Sequence, residues 1–473
     1  MEIAIEKIGK THKPEMDYMS TKNACKLCSP LGASVVFKGI RNCLPLIHGS
    51  QGCATYIRRY LISHYKEPID IASSNFSEET TIFGGNKNFN TGIDNIIKQY
   101  SPEAIGIATT CLSETIGEDV HRLITEYKIV HKDKELPAFF NVATPSYQGT
   151  HIDGFHETVL AVVSNLATLA VPQNHINIYP GFISPEDIRH LKEILADFGI
   201  EFILFPDYSE TLDNPSWDEY HKMSPGGTSV EELCEMSSAK TSIELGLVFN
   251  KGITSGRVRG SKSVSTAGEY LDKNFGVNCI QTIHPIGISA TDEFFKVLEK
   301  ISKKQTSEKF TKERGRLVDA YIDGHKYVFG KKAIVYGDED FVISLSSFLD
   351  EIGISVVLAA TGGESGIFAE AIKKYAPNSA ETMIIGAGWD FDKIAEMAKI
   401  LEPDIMVGNS KGYYISRELG IPLLRVGFPI HDRIGGQRML HLGYKGTQQL
   451  FDSIVNLLIE AKQNNSPVGY KYM

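Results

Sequence analysis

Three cysteines stand in loop-like stretches rich in glycine or polar residues: Cys28 in CKLCSPLGA, Cys53 in HGSQGCATY and Cys111 in IATTCLSETIGED. A thiolate is a soft donor, suited to zinc, copper(I) or an iron–sulfur cluster. One cysteine alone is more often a small buried hydrophobe than a ligand, but three in such contexts shift the balance toward metal. Cys25 and Cys28 form a CxxC, which could be half of a zinc site or a redox dithiol. No second CxxC and no HxxxH accompanies it, and a thioredoxin-like role needs a strand-to-helix junction in a small domain. An oxygen-sensitive metal cluster is the favoured chemistry. The chain has no GxxxxGK(S/T) phosphate loop and no HExxH. The loop ATGGESG (360–366) could hold an anion at a helix start, although a tight glycine turn is the simpler reading. The pairs Ser113–Glu114 and Glu118–Asp119 near Cys111 read as a solvated first turn or as hydrogen-bonding neighbours.

Such donors need a rigid frame. Short aliphatic and β-branched runs recur at AIGIAT (104–109), AFFNVA (138–143), INIYPG (176–181), EFILFP (201–206) and IELGLVF (243–249). The series continues with KAIVYG (332–337), ISVVLAA (354–360), TMIIGAG (382–388), DIMVGN (404–409) and PLLRVG (422–427). These runs are continuous rather than alternating, as in parallel sheets covered by helices on both faces. Segments between them, such as SPEDIRHLKEILADFGI and DEDFVISLSSFLDEIGI, place apolar residues at helical spacing behind Ser-Pro or acidic starts. The alternation predicts an α/β protein of several doubly wound, Rossmann-like parallel-sheet units. Loops after the carboxyl ends of strands gather ligands in such sheets, and Cys111 follows the 104–109 run directly.

At 473 residues and roughly 150 per domain, three domains are expected: 1–160 with the cysteines, 161–320, and 321–473. The last boundary follows the charged stretch KKQTSEKFTKERGR (303–316). Hydrophobic residues at 42% and charged residues at 22% are ordinary for a folded chain. A net charge of −10, without basic residues interleaved with aromatics, argues against nucleic acid as a partner. The N-terminal MEIAIEKIGKTHKPEM lacks the apolar run of a signal peptide, and no stretch reaches the ~18 apolar residues of a membrane span. A cytoplasmic protein without membrane contact is predicted, its seven cysteines serving as thiols or ligands rather than disulfides.

The segment from Cys25 to Asp119 resembles the β-type subunits of the nitrogenase superfamily, and the likeness extends over almost the whole chain. It is carried by CKLCSPLGA (25–33), LPLIHGSQGCATYIRRYLISHYKEP (44–68), SSNFSEETTIFGG (73–85), IATTCLSETIGEDV (107–120) and ATPSYQG (143–149). Further on it is carried by PGGTSVEEL (225–233), TKERGRLVDAYID (311–323) and VGNSKGYYISRELGIPLLRVGFPIHDRIGGQR (407–438).

The resemblance implies three α/β domains of the component 1 type, an α-type partner subunit in an α2β2 heterotetramer, and an iron–sulfur cluster at the interface between the subunits. In catalytic members three β-subunit cysteines share a P-cluster with the partner, with a serine nearby. The matching positions are Cys28, Cys53 and Cys111, separated by 25 and 58 residues, and Ser146, 35 residues further on. Phe83 matches the aromatic at which an ATP-dependent iron-protein reductase docks, an ordinary core phenylalanine being the alternative. His48, Ser50 and Gln51, together with the Gly49 and Gly52 amides, are placed to donate hydrogen bonds to cluster sulfides. Arg58 and Arg59 read as a solvated helix face.

Within the family, TYIRRYLISHYKEPIDIASSNFSEET, the short leader before the first cysteine and the ending HDRIGGQRMLHLGYKG…SPVGYKYM favour the scaffold on which the iron–molybdenum cofactor is assembled. Scaffold subunits often lack some of these cysteines, and the full set here keeps the catalytic β subunit as the alternative. The cluster is accordingly either 4Fe-4S or an 8Fe-7S P-cluster. The FeMo-cofactor precursor is expected on the partner, so this chain holds no complete active site. A metal-free α/β interaction subunit, colourless after anaerobic purification, is a third reading.

Overall fold

The structure is a computed structural model in which residues 25–248 and 266–469 are described. The N-terminal stretch 1–16, the last residue of the 243–249 run and the closing YKYM lie outside the described residues. Strands β1 (Cys43–His48), β2 (Ala72–Ser73), β3 (Ala104–Thr109) and β4 (Ala138–Val142) form a first sheet in the order β2-β1-β3-β4. A second sheet, ordered β6-β5-β7-β8, contains β5 (Ile176–Tyr179), β6 (Phe202–Leu204), β7 (Thr241–Leu245) and β8 (Asn278–Thr282). The third has five strands: β9 (Lys332–Gly337), β10 (Ser355–Thr361), β11 (Ile384–Gly386), β12 (Ile405–Gly408) and β13 (Leu423–Arg425), ordered β11-β10-β9-β12-β13.

All of these strand pairings are parallel. Each sheet grows outward from its first strand and then returns to that strand's other side, the doubly wound pattern that leaves a crevice at the switch point. The expected fold class is therefore observed, and each of the ten aliphatic runs overlaps a strand. Every residue of β1 and β3 is buried, as continuous apolar strands covered on both faces require.

Among the described residues, the helices that accompany the first sheet include α1 (Ser29–Lys38), α2 (Gln51–Tyr65), α3 (Glu78–Phe83), α4 (Asn86–Tyr100), α5 (Cys111–Thr115) and α6 (Val120–Val130). The next, α7 (His151–Leu166), and the helix Glu308–Val328 run straight through residues 160 and 320. One apolar core reaches from Leu27 to Leu458 across all three sheets, which is why the sequence carries no long linker. Among the described residues no helix is long and apolar enough to cross a membrane.

Helix α1 crosses α7 at the closest range that backbone allows. A Cβ built on Gly32 would stand 1.7 Å from the His151 carbonyl oxygen, and one on Gly154 would stand 2.1 Å from that of Ser29. Only glycine permits this approach, and it fixes the helix whose N-cap is Cys28. The second and third sheets are joined through Asp187, which is wholly buried. Its carboxylate accepts from His441 Nδ1 at 2.7 Å and from the backbone N–H groups of His441 and Leu442 at 2.6 and 3.0 Å. These bonds hold its pKa below the ordinary carboxylate value despite burial.

Candidate functional site

The strand register brings the singled-out cysteines together. β1 and β3 pair in step from Cys43 with Ala104 to His48 with Thr109, so their carboxyl ends are level. β4 follows with Ala108 opposite Val142. The loops leaving these three ends carry Cys53, Cys111 and Ser146, and α1 delivers Cys28 beside them. The Ser146 N–H donates to Cys111 Sγ at 3.2 Å, and the Ser29 N–H donates to Ser146 Oγ at 3.2 Å. Burial raises the Cys53 thiol's pKa, and the neighbouring sulfurs of Cys28 and Cys111 raise it further. Cys111 is exposed, and Cys28 and Cys53 are partly so.

Cys28 is the N-cap of α1, and Cys53 lies in the first turn of α2, where Ser50 Oγ accepts from the Gly52 N–H. The first N–H groups of these helices are taken up within the chain, that of Ser29 by Ser146 Oγ, that of Gly52 by Ser50 Oγ and that of Cys53 by the Ser50 carbonyl. Cys111 opens α5 behind Thr110, whose side chain and that of Ser113 cap each other's backbone. Among the described residues no three His, Cys, Asp or Glu side chains gather around a point where one ion could sit. Three soft donors spread over one exposed patch fit a larger group whose irons take one thiolate apiece.

The two cysteines of the CxxC part company. Cys25 is buried in the apolar cluster of the third sheet with Ile334, Tyr336 and Leu358, and burial pushes its pKa up to about 12. The segment Cys25–Leu27 fills the crevice at that sheet's switch point. The Leu27 carbonyl accepts from the His151 N–H at 3.0 Å, the Lys26 carbonyl accepts from Lys411 Nζ at 3.5 Å, and Gly362 lies against the Cys25 carbonyl. His151 in turn faces Asp338 at 3.2 Å. The ATGGESG loop holds a carboxyl group of the protein's own: the Ser365 N–H donates to Glu339 Oε1 at 3.1 Å and Ser365 Oγ bonds the other oxygen. Burial raises the Glu339 carboxyl to about 7.

The polar neighbours of Cys53 are largely engaged within the chain. His48 is fully buried, and its Nε2 faces Glu118 Oε2 at 3.4 Å. Burial holds the imidazole below its ordinary pKa. The Gly49 N–H donates to Ser74 Oγ at 2.9 Å and the Gly52 N–H to Ser50 Oγ at 3.2 Å, while Gln51 is exposed. Arg58 Nε donates to the Ile69 carbonyl at 2.8 Å. Phe83 is 82% exposed beside Ile82 at 74%, so it is not a core residue. Glu118 is the hydrogen-bonding neighbour rather than a solvated first turn, and sequence reasoning missed Thr110 as an organiser. The TTC triplet ahead of Ser113 carries a capping-box signal that could have revealed it.

A family model for nitrogenase component 1 type oxidoreductases matches residues 28–459. The nitrogenase molybdenum-iron protein beta chain of Clostridium pasteurianum is 35% identical over 440 residues, covering 93% of this chain and 93% of that protein. The beta chain of the same name from Methanothermobacter marburgensis is 34% identical over 447 residues, covering 92% of this chain and 94% of its own. Among solved structures, a chain of nitrogenase Cp1 at pH 6.5 matches with a TM-score of 0.89 at 33% identity, over 95% of this chain and 96% of that one. A chain of nitrogenase Cp1 at pH 5, only 15% identical, shares the fold with a TM-score of 0.71 over 95% of this chain and 92% of that one.

Proposed function

The chain belongs to the nitrogenase component 1 type oxidoreductases as a β-type subunit, and from that premise we propose that it is the NifN-like subunit of the scaffold on which the iron–molybdenum cofactor matures. It holds an interfacial iron–sulfur cluster together with an α-type, NifE-like partner in an α2β2 assembly. The observation that carries the reading is the convergence of Cys28, Cys53 and Cys111 on one exposed patch, with Ser146 bonded to Cys111. Exposed thiols at the edge of a chain suit a cluster whose remaining ligands come from a second subunit. Assignment to the scaffold branch rests on the run from Thr55 to Thr80, TYIRRYLISHYKEPIDIASSNFSEET.

In this reading Cys28, Cys53 and Cys111 are the ligands, and Ser146 orients Cys111 through its amide. The bound cluster supplies one-electron chemistry. The chain's own residues place the thiols: the level ends of β1 and β3 set the spacing of Cys53 and Cys111, and the crossing of α1 on α7 places Cys28. The exposed tip Ile82–Phe83 is where the ATP-driven iron-protein reductase docks. The precursor of the cofactor sits on the partner.

A second reading, the NifK-like catalytic subunit with a NifD-like partner, is favoured by the full set of three cysteines plus Ser146. The relatives named above are also molybdenum-iron protein beta chains. EPR with iron quantification on the anaerobically co-purified heterodimer separates the two. A signal present on dithionite reduction and lost on dye oxidation is the expected, four-iron result. A reduced state that is silent, gains its signal on oxidation and holds about twice the iron assigns a P-cluster and the catalytic role. Colourless protein sinks both.

A further inference from the structure

The exposed tip and the thiol patch share one carboxylate. Helix α3 ends in Ile82 and Phe83, both exposed, and the chain then turns through Gly84, at φ +88°, into Gly85, the N-cap of α4. Gly85 has no side chain with which to cap a helix or anchor the turn. Glu118 reaches in from the loop after α5, and its Oε1 accepts from the Gly85 N–H at 2.7 Å. Its other oxygen faces Nε2 of His48, the last residue of β1, five residues before Cys53. The Glu118 N–H donates to the Ser113 carbonyl at 3.0 Å, within the short helix that Cys111 opens. The Glu118 side chain is only 10% exposed. The His48 ring is gripped edge-on by Phe76 and Phe89, with centroids 4.8 and 5.3 Å away, and Phe76 lies against Gly85 as well. The tip, the end of β1 and the Cys111 helix therefore meet at one residue, the first two through a side chain that water scarcely reaches and the third through its backbone, and a buried hydrogen bond to a carboxylate is at its strongest in such a place.

We propose that Glu118 is a positioning residue that sets the height and tilt of the Ile82–Phe83 tip relative to the thiols of Cys53 and Cys111. The consequence is that docking at the tip is registered directly against the cluster ligands. This rests on the reading of Phe83 as the docking point for the reductase. Glu118 touches neither the cluster nor the reductase in this scheme; it acts through the Gly85 backbone and the His48 ring.

The test uses the complex co-purified with its α-type partner, titrated with the ATP-driven reductase, and the variants Phe83→Ala, Glu118→Ala and Glu118→Gln. The readouts are iron per complex, the EPR line shape of the resting cluster, and the reductase concentration at half-maximal electron delivery. Glu118→Ala is expected to keep iron and line shape while raising the half-saturating concentration roughly ten-fold, the scale of one lost charge-assisted hydrogen bond. Glu118→Gln still offers an acceptor to the Gly85 amide, so it is expected to fold normally and shift only about two- to three-fold. Both Glu118 variants at the wild-type value, with Phe83→Ala shifted, overturn the assignment of Glu118 alone. Loss of iron in both makes Glu118 a support for the thiols and likewise overturns it. Phe83→Ala at the wild-type value overturns the docking reading and, with it, this inference.

Discussion

Cys53 and Cys25 carry the same side chain to opposite fates, and substituting each measures the difference. Cys53→Ala is expected to strip the complex of its interfacial iron, read by colorimetric iron assay and EPR. Cys25→Ala is expected to keep full iron content and to lower stability by about 1 kcal/mol through a small cavity beside Ile334 and Leu358. Equal iron loss in the two variants would make the CxxC a unit after all. Asp187→Ala should cost about 3–5 kcal/mol, since it leaves His441 and two buried backbone donors without their acceptor. A urea titration yielding less than 1 kcal/mol would contradict that. The cysteines were legible in the sequence because soft donors in glycine-rich loops announce themselves by type and spacing. Glu118 was legible as an acid near Cys111 but its partners were not, because Gly85 and His48 lie 33 and 70 residues away along the chain and no local pattern connects them.

At the scale of elements, the crossing of α1 on α7 holds Cys28 in place, so its glycines are the place to disturb. Gly154→Ala puts a methyl group against the Ser29 carbonyl and must push α1 outward, at a cost of about 1–3 kcal/mol typical of overpacking. The expected signature is partial iron loss alongside a lower unfolding midpoint. Full iron with an unchanged midpoint would show that α1 has room to slide. Ten strands were readable as continuous aliphatic runs, whereas three were not picked out. β2 has two residues, β8 reads NCIQT with half-exposed polar positions, and β1 is embedded in the glycine-rich motif LPLIHGSQG. A strand at a sheet edge need not be apolar on both faces, and this defeats a reading built on continuous hydrophobicity. The ATGGESG loop was half legible: its anion-holding geometry followed from glycines before a helix, but the resident carboxyl group, that of Glu339, comes from a different helix.

For the whole molecule, buried titratable groups set the response to acid. Burial lowers His64 and His156 to about 3 and His284 to about 4, so these stay neutral in the fold while the unfolded chain takes up protons below 6.5. Each removes on the order of 1 kcal/mol per pH unit between 6.5 and its folded value. Glu157 and Glu339, raised to about 7, and Asp340, raised to about 6, act in the opposite direction, since the fold binds their protons first. Their gain accrues as pH falls and is complete once the unfolded carboxyls also protonate, near 4.5 for Glu and 3.8 for Asp. The two sets nearly cancel from about pH 6.5 to 4.5, and below that the loss outruns what Asp340 still adds. Urea midpoints at pH 6.5, 5 and 4 should therefore show a plateau and then a fall; a steady decline from 6.5 would show that the carboxyls do not compensate. The segment Cys25–Leu27, seated across the switch point of the third sheet, has a consequence for the order of synthesis. Its clamp at Lys411 lies 385 residues downstream of Lys26, so the ribosome makes all three thiols early and the lock for the first of them late. Until then Cys28 is held by the crossing of α1 on α7 and by the Leu27–His151 bond alone, and the side of its segment that faces the third sheet has nothing to pack against.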